Sequence, residues 1–117
     1  MLYSHKFAVF LTLIYAPLYV LGQRHKGDAT FYTPGLGNCG KANRESDFVV
    51  ALSQKEYHRK NHCGKKIRIH YGSKSVDALI ADSCMSCKPD DIDLSPVVFD
   101  RLASRDAGRI KVTWDYL

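Results

Sequence analysis

The apolar and polar positions of the chain fall into short alternating runs. "KIRIHY" (66–71) is the clearest: Ile67, Ile69 and Tyr71 lie on one side, and Lys66, Arg68 and His70 form a weak basic strip on the other. That is the period of a half-buried strand. "GSKS" (72–75) reads as a hairpin turn and "VDALIA" (76–81) as the returning strand. "RIKVTWDY" (109–116) alternates again, with Ile110, Val112, Trp114 and Tyr116 on one face and Trp114 expected in the core. "ATFY" (29–32) is expected as a first strand after a loose polar lead-in at 23–27, and "DFVVAL" (47–52) as a short buried strand. Two short helices are predicted. One starts at Ser53, with Glu56 at capping-box spacing. The other has Ser95 as N-cap, Pro96 in the first helical position, an apolar face at Val98, Phe99, Leu102 and Ala103, and Gly108 at its end. The segments 33–43 and 59–65, and the stretch that follows "VDALIA" up to Asp93, read as loops. Many short strands with turns between them and no internal repeat suit a mainly β fold. A small closed barrel leaves no long edge strand exposed.

The first 22 residues stand apart. "MLYSHK" is a short basic start, "FAVFLTLIYAPLYVL" is a stretch of 15 uncharged residues, and Val20 and Gly22 fit the small-residue cleavage rule. Residues 1–22 are therefore expected to be a secretory signal peptide, and the mature chain to be Gln23–Leu117. A membrane span needs about 20 apolar residues, so an anchor fits less well. The remaining 95 residues suffice for one domain and not two. All four cysteines (Cys39, Cys63, Cys84 and Cys87) lie in this part, and an even count in an oxidising compartment implies two disulfides, with three pairings open. Loss of Lys6 with the leader leaves 16 of the 17 Lys and Arg against 12 acids, a formal charge of +4. That mild excess suits contact with a polyanionic or polar wall surface, and equally suits plain solubility.

The densest chemistry is "IADSCMSCKPDDIDLS" (80–95). Its Cys-x-x-Cys has metal or redox spacing. Zinc would need two further ligands, such as Cys39, Cys63 or His62, and a redox role would need a βαβ setting. Neither context is readable, and a structural disulfide is the expectation for a secreted chain. "GLGNCG" (35–40) formally matches a dinucleotide fingerprint, but no apolar helical face follows it. Its glycines are expected instead to let the backbone approach something closely. Asp90 and Asp91 read as solvated or capping acids, and Asp93 as either a cap for the helix that follows or a carboxyl in a cleft. Hydrolysis of a glycosidic bond would require a second carboxyl about 5–9 Å away. No Ser-His-Asp or Cys-His arrangement is readable, and no cofactor or metal is implied.

Taken together, "GDATFYTPGLGNCG", "DFVVALS", "HCGKKIRIHYGSKSVDALIADSCMSC", "DIDLSPVVFDRLA" and "GRIKVTWDYL" resemble the fungal single-domain double-psi β-barrel proteins. These are the loosenins and the rare-lipoprotein-A-like or barwin-like proteins, related to the first domain of expansins. The resemblance covers residues 27–117. It implies a six-stranded double-psi β-barrel with one or two short helices and a long shallow groove that binds wall polysaccharide. Thr30 and Tyr32 match the Thr and aromatic of the expansin "T-[WF]-Y" strand. Asp82 matches the groove aspartate, and Asp93 the aspartate of "H-F-D-L-S", the proton-donor position in related hydrolases. Asp91 and Ile92 replace the His and Phe of that motif. Asp28 lies near the hydrolases' base but does not align with it. The resemblance also implies the pairs Cys39–Cys63 and Cys84–Cys87.

Three functions of different classes follow. The first is a secreted, monomeric, non-hydrolytic protein that binds cellulose, chitin or a related glycan in a groove formed by Thr30, Tyr32, Asp82 and Asp93. The second is a protein-binding module, such as a cysteine-protease inhibitor or a host-directed effector, working through loops 33–43 and 59–65. The third is a glycan-cleaving enzyme with Asp93 as acid. Nucleic acid is not an expected partner, nor is a membrane once the leader is removed.

Overall fold

A computed structural model describes residues 24–59 and 62–117; the expected leader lies outside the described residues. Six strands close a barrel: β1 (His25–Phe31), β2 (Val49–Ser53), β3 (Lys66–Tyr71), β4 (Lys74–Cys84), β5 (Ile92–Leu94) and β6 (Ile110–Tyr116). Around the barrel they run β1-β5-β2-β4-β3-β6. The β1–β5 and β2–β4 pairs are parallel, and the other four neighbouring pairs are antiparallel. Parallel neighbours need long crossovers. The chain uses these for helix α1 (Gln54–Arg59) and the β3–β4 hairpin between β2 and its parallel partner β4. Helix α2 (Pro96–Asp100) and a 3-10 turn (Arg105–Ala107) cover the route from β5 to β6. This is the six-stranded double-psi barrel with two short helices.

Alternation sorts the strands as the sequence predicts. Ile67, Ile69, Ile80, Ile92, Leu94, Val112 and Trp114 fill the barrel with Val50, Leu52, Phe99 and Leu102, and Trp114 is fully buried. The Trp114 indole still needs an acceptor when buried; its Nε1 donates to the Asp90 carbonyl at 2.9 Å. Tyr71 departs from the pattern: at the hairpin end it is 37% exposed.

Several local expectations are corrected. The lead-in is not loose, because β1 begins at His25, whose ring stacks on Trp114 with centroids 4.0 Å apart. The stretch after "VDALIA" is not a single loop either: β4 continues to Cys84, and Asp93 sits in β5. Asp93 is thus no helix cap. Ser95 occupies the N-cap position with extended backbone but makes no side-chain cap bond. Its hydroxyl donates to the Asp47 carbonyl at 2.7 Å and accepts from the Val49 N–H, fastening the start of β2 instead. At α1 only half of the capping box forms. The Ser53 hydroxyl accepts from the Glu56 N–H at 3.1 Å, while the Glu56 carboxylate turns to Arg59 and to the Tyr116 hydroxyl on β6.

Candidate functional site

The strand registers bring three of the four residues of the expected groove into one transverse row. Thr30 on β1 is opposite Asp93 on β5, Asp93 is opposite Ala51 on β2, and Ala51 is opposite Asp82 on β4. Tyr32, the fourth, follows β1 directly, two residues beyond Thr30. Residues directly opposite one another point to the same face of a sheet. The flanking residues Ala29, Val50, Leu52, Ile92 and Leu94 are core, so this row faces outward. Neighbouring strands lie about 4.8 Å apart, which puts the Asp93 and Asp82 backbones roughly 10 Å apart with the buried Ala51 between them.

Asp82 belongs to this row because of a bulge. The β2–β4 register pairs Val50 with Ile80 and Ala51 with Asp82, leaving Ala81 as an extra residue. Without that insertion, Asp82 would share the parity of Val76, Ala78 and Ile80 and point into the core. One added residue reverses the facing of everything after it.

The bulge is also where the Gly-rich loop docks. The Cys39 N–H donates to the Ala81 carbonyl at 3.2 Å, and the Asn38 N–H to Asp82 Oδ1 at 2.9 Å. The Asn38 amide donates to Ser83 Oγ at 2.6 Å. A Cβ on Gly37 would lie 2.4 Å from the Ala81 oxygen and 3.2 Å from the Asp82 side chain. Gly37 is therefore the glycine that permits the close approach expected of this loop. Gly37→Ala must push the loop off the bulge. We expect it to lower the melting temperature and to weaken any ligand held at Asp82, whereas Gly35→Ala, with open space at its Cβ, should do neither. Thermal denaturation and ligand titration of the two variants check this.

The acids of the row differ in their hydrogen-bond partners. The Thr30 hydroxyl donates to Asp93 Oδ1 at 2.9 Å. Burial raises the Asp93 carboxyl above the ordinary carboxylate range, against the hydrogen bond from Thr30 and the charge of Arg109. Burial, together with the charges of Asp82 and Asp93, pushes the Tyr32 phenol up to about 12. Tyr32 thus senses both aspartates and remains a neutral hydrogen-bond donor at physiological pH. Asp82 Oδ1 accepts from both Asn38 N–H and Ser83 N–H, and among the described residues Oδ2 has no protein donor.

A carboxyl raised on folding favours the protonated native state, so ionised Asp93 subtracts from stability as pH rises from its unfolded pKa through its folded one. An asparagine side chain in its place could keep the Thr30 bond without that charge. Asp93→Asn is therefore expected to be more stable than the parent above about pH 5, and equal to it below about pH 3, where both carry a neutral side chain. Thermal melts across pH check the sign.

The other acids are committed elsewhere. Asp28 is held by Lys111 and Arg109, each at 3.1 Å, and their bonds keep its carboxyl below the ordinary range. It sits two residues from Thr30 on the same face but is a fixed anion rather than a free base. Asp91 Oδ1 accepts from the Asp28 N–H at 2.8 Å, and Asp90 Oδ1 meets His25 Nδ1 at 3.0 Å. Both acids fasten the 85–91 loop to β1 and are not merely solvated. Cys39 is bonded to Cys63 and Cys84 to Cys87, the pairs implied by the resemblance. Among the described residues, no group of three or more His, Cys, Asp or Glu side chains is placed to hold a metal, and no helix is long and apolar enough to cross a membrane. Ala51 and the bulged Ala81 escaped the sequence reading, since an apolar run does not reveal where an extra residue shifts the register.

No family model matches the chain. Among known proteins, it is 46% identical over 90 residues to the allergen Asp f 7 of Aspergillus fumigatus, covering 72% of this chain and 33% of that one. It is 33% identical over 90 residues to ripening-related protein 2 of rice, Oryza sativa, covering 64% of this chain and 47% of that one. The chain thus spans less than half the length of these two relatives. To the papain inhibitor of Streptomyces mobaraensis it is 30% identical over 106 residues, covering 83% of this chain and 74% of that one. The solved Streptomyces papain inhibitor superposes with a TM-score of 0.74 at 30% identity, over 82% of this chain and 96% of that one. A Clavibacter michiganensis expansin, an aspartate-to-asparagine mutant in complex with cellohexaose, superposes with a TM-score of 0.73 at 27% identity, over 81% of this chain and 50% of that one. The chain belongs to the family of barwin-like, expansin-related double-psi β-barrel proteins that includes the Streptomyces papain inhibitor.

Proposed function

We propose that the protein is secreted behind the 1–22 leader, binds cell-wall polysaccharide across the Thr30–Asp93–Ala51–Asp82 row, and loosens it without hydrolysis. The observation that carries this reading is the row itself: two outward carboxyls about two strands apart and the Tyr32 phenol beside both. Carboxylates accept from sugar hydroxyls, and a neutral phenol donates to them. Competition for the hydrogen bonds between neighbouring glycan chains then separates those chains with no bond cleaved. The expansin that superposes over most of this chain is complexed with cellohexaose, which makes β-1,4-glucan the first ligand class to try. Isothermal titration with cellohexaose, cellulose and chitin, alongside a reducing-end assay, tests the reading. Binding without release of reducing ends supports it, and no binding to any of these glycans refutes it. Cleavage lost in Asp93→Asn would instead make the protein an enzyme with Asp93 as acid.

A second reading is cysteine-protease inhibition, favoured by the papain inhibitor that matches over most of both chains. Two exposed apolar tips support it: Leu36 in the Gly-rich loop is 78% exposed, and Met85 in the Cys84–Cys87 ring is 85% exposed. Both belong to segments adjoining Asp82, Leu36 in the Gly-rich loop just before Cys39 and Met85 just past the end of β4. Titration of papain activity with the protein decides it, with Leu36→Ser and Met85→Ser as the variants expected to weaken an inhibitor.

A further inference from the structure

The charge of the molecule is not spread evenly. Residues 24–28, 66–77 and 109–115, which form the β1–β6–β3 wall and its hairpin, hold seven Lys and Arg against three Asp. The rest of the 23–117 segment holds nine of each sign. The whole +4 excess therefore sits on the wall away from β5 and β2, and the groove half is balanced. An open concavity of about 510 Å³ lies in this wall, lined by Arg24, Lys26, His70, Lys111 and Thr113 among others. Thr113 is opposite Lys26 on one side and His70 on the other, so the three form a second transverse row across β1, β6 and β3.

The arginines of this wall are occupied. Arg24 pairs with Asp115, Arg68 with Asp77 and Arg109 with Asp28. Lys111 also pairs with Asp28. Among the described residues, the ammonium groups of Lys26, Lys66 and Lys74 have no hydrogen-bond or ion-pair partner. The uncompensated charge is thus carried by lysines, which act as point donors. The guanidinium forks that would grip phosphate in a bidentate manner are already engaged by carboxylates. Lys26 lines the concavity, and Lys66 and Lys74 stand at opposite ends of β3. Cations spread along a wall in this way suit a repeating ligand that meets them one carboxylate at a time, rather than a single small anion.

We propose that this wall is a second binding face for an acidic, uronate-bearing polysaccharide, distinct from the groove and centred on the concavity beside Lys26. It rests on the placement of charge and does not depend on the groove reading. The test uses the protein and polygalacturonate in affinity electrophoresis at low ionic strength. Retardation is expected. It should vanish in about 0.5 M salt, where the screening length falls to a few ångströms. Lys26→Gln/Lys66→Gln/Lys74→Gln should weaken it about tenfold. The melting temperature of the triple variant should match that of the parent, which separates loss of this face from loss of the fold. The proposal is overturned if the triple variant binds polygalacturonate like the parent. It is also overturned if dextran sulfate or duplex DNA binds as tightly at the same salt, which would mark indiscriminate polyanion contact.

Discussion

Removing the Cys39–Cys63 disulfide with Cys39→Ser/Cys63→Ser is expected to lower the unfolding free energy by about 3 kcal/mol, as the loop-closure relation gives for a loop of this length. The bridge spans 24 residues and ties the Gly-rich loop to the segment just before β3. A domain of this size has a modest core, so such a loss is a large part of its stability. Cys84→Ser/Cys87→Ser should cost less, because that bridge closes a separation of only 3 residues and the closure term falls with loop length. The two double variants should differ in function as well. Freeing Cys39 releases the loop whose Asn38 N–H is bound by Asp82, so glycan binding should drop even where the barrel stays folded. Urea unfolding of each variant, followed by glycan titration well below the unfolding midpoint, reads both effects.

Asp82 offers the second large effect, and two substitutions divide its roles. Its Oδ1 holds the Asn38 and Ser83 amides, while its other oxygen has no protein donor among the described residues. Asp82→Asn can keep an oxygen toward both amides and replaces only the second acceptor with a donor. Asp82→Ala loses everything and leaves two N–H groups without their acceptor, at about 1–3 kcal/mol for each one that water cannot reach. Asp82→Asn should therefore be close to the parent in melting temperature but at least about tenfold weaker in glycan binding, the cost of losing a hydrogen bond to a charged group. Asp82→Ala should be weaker in both. If Asp82→Asn binds glycan as the parent does, Asp82 serves the loop alone.

Much of this barrel was legible in the sequence, and the exceptions have physical causes. β3 matched its alternation up to the exposed Tyr71 at the hairpin, because one face is core and the other is water. β5 was not legible as a strand: three residues carry too little periodicity, and its pairing with β1 and β2 is decided by distant segments. The same long-range pairing turned Asp93 from a possible cap into an outward-facing strand residue. The candidate site residues Thr30, Tyr32, Asp82 and Asp93 came from family resemblance; the strand registers place Thr30, Asp93 and Asp82 in one row, and Tyr32 directly follows β1. What spacing could not reveal was how Asp82 joins that row, through a bulge at Ala81. A single inserted residue leaves no mark in composition, yet it decides whether Asp82 faces outward or into the core.

Whether the outward row grips a glycan chain without cutting it is tested most directly by a nitrogen-15 NMR titration of the protein with cellohexaose, with the same samples assayed for new reducing ends. Amide shifts are expected to cluster at Thr30, Tyr32, Asp82 and Asp93, with the oligosaccharide recovered intact. Shifts confined to the Leu36 and Met85 loops, none at all, or shortened oligosaccharide would contradict that mode of action.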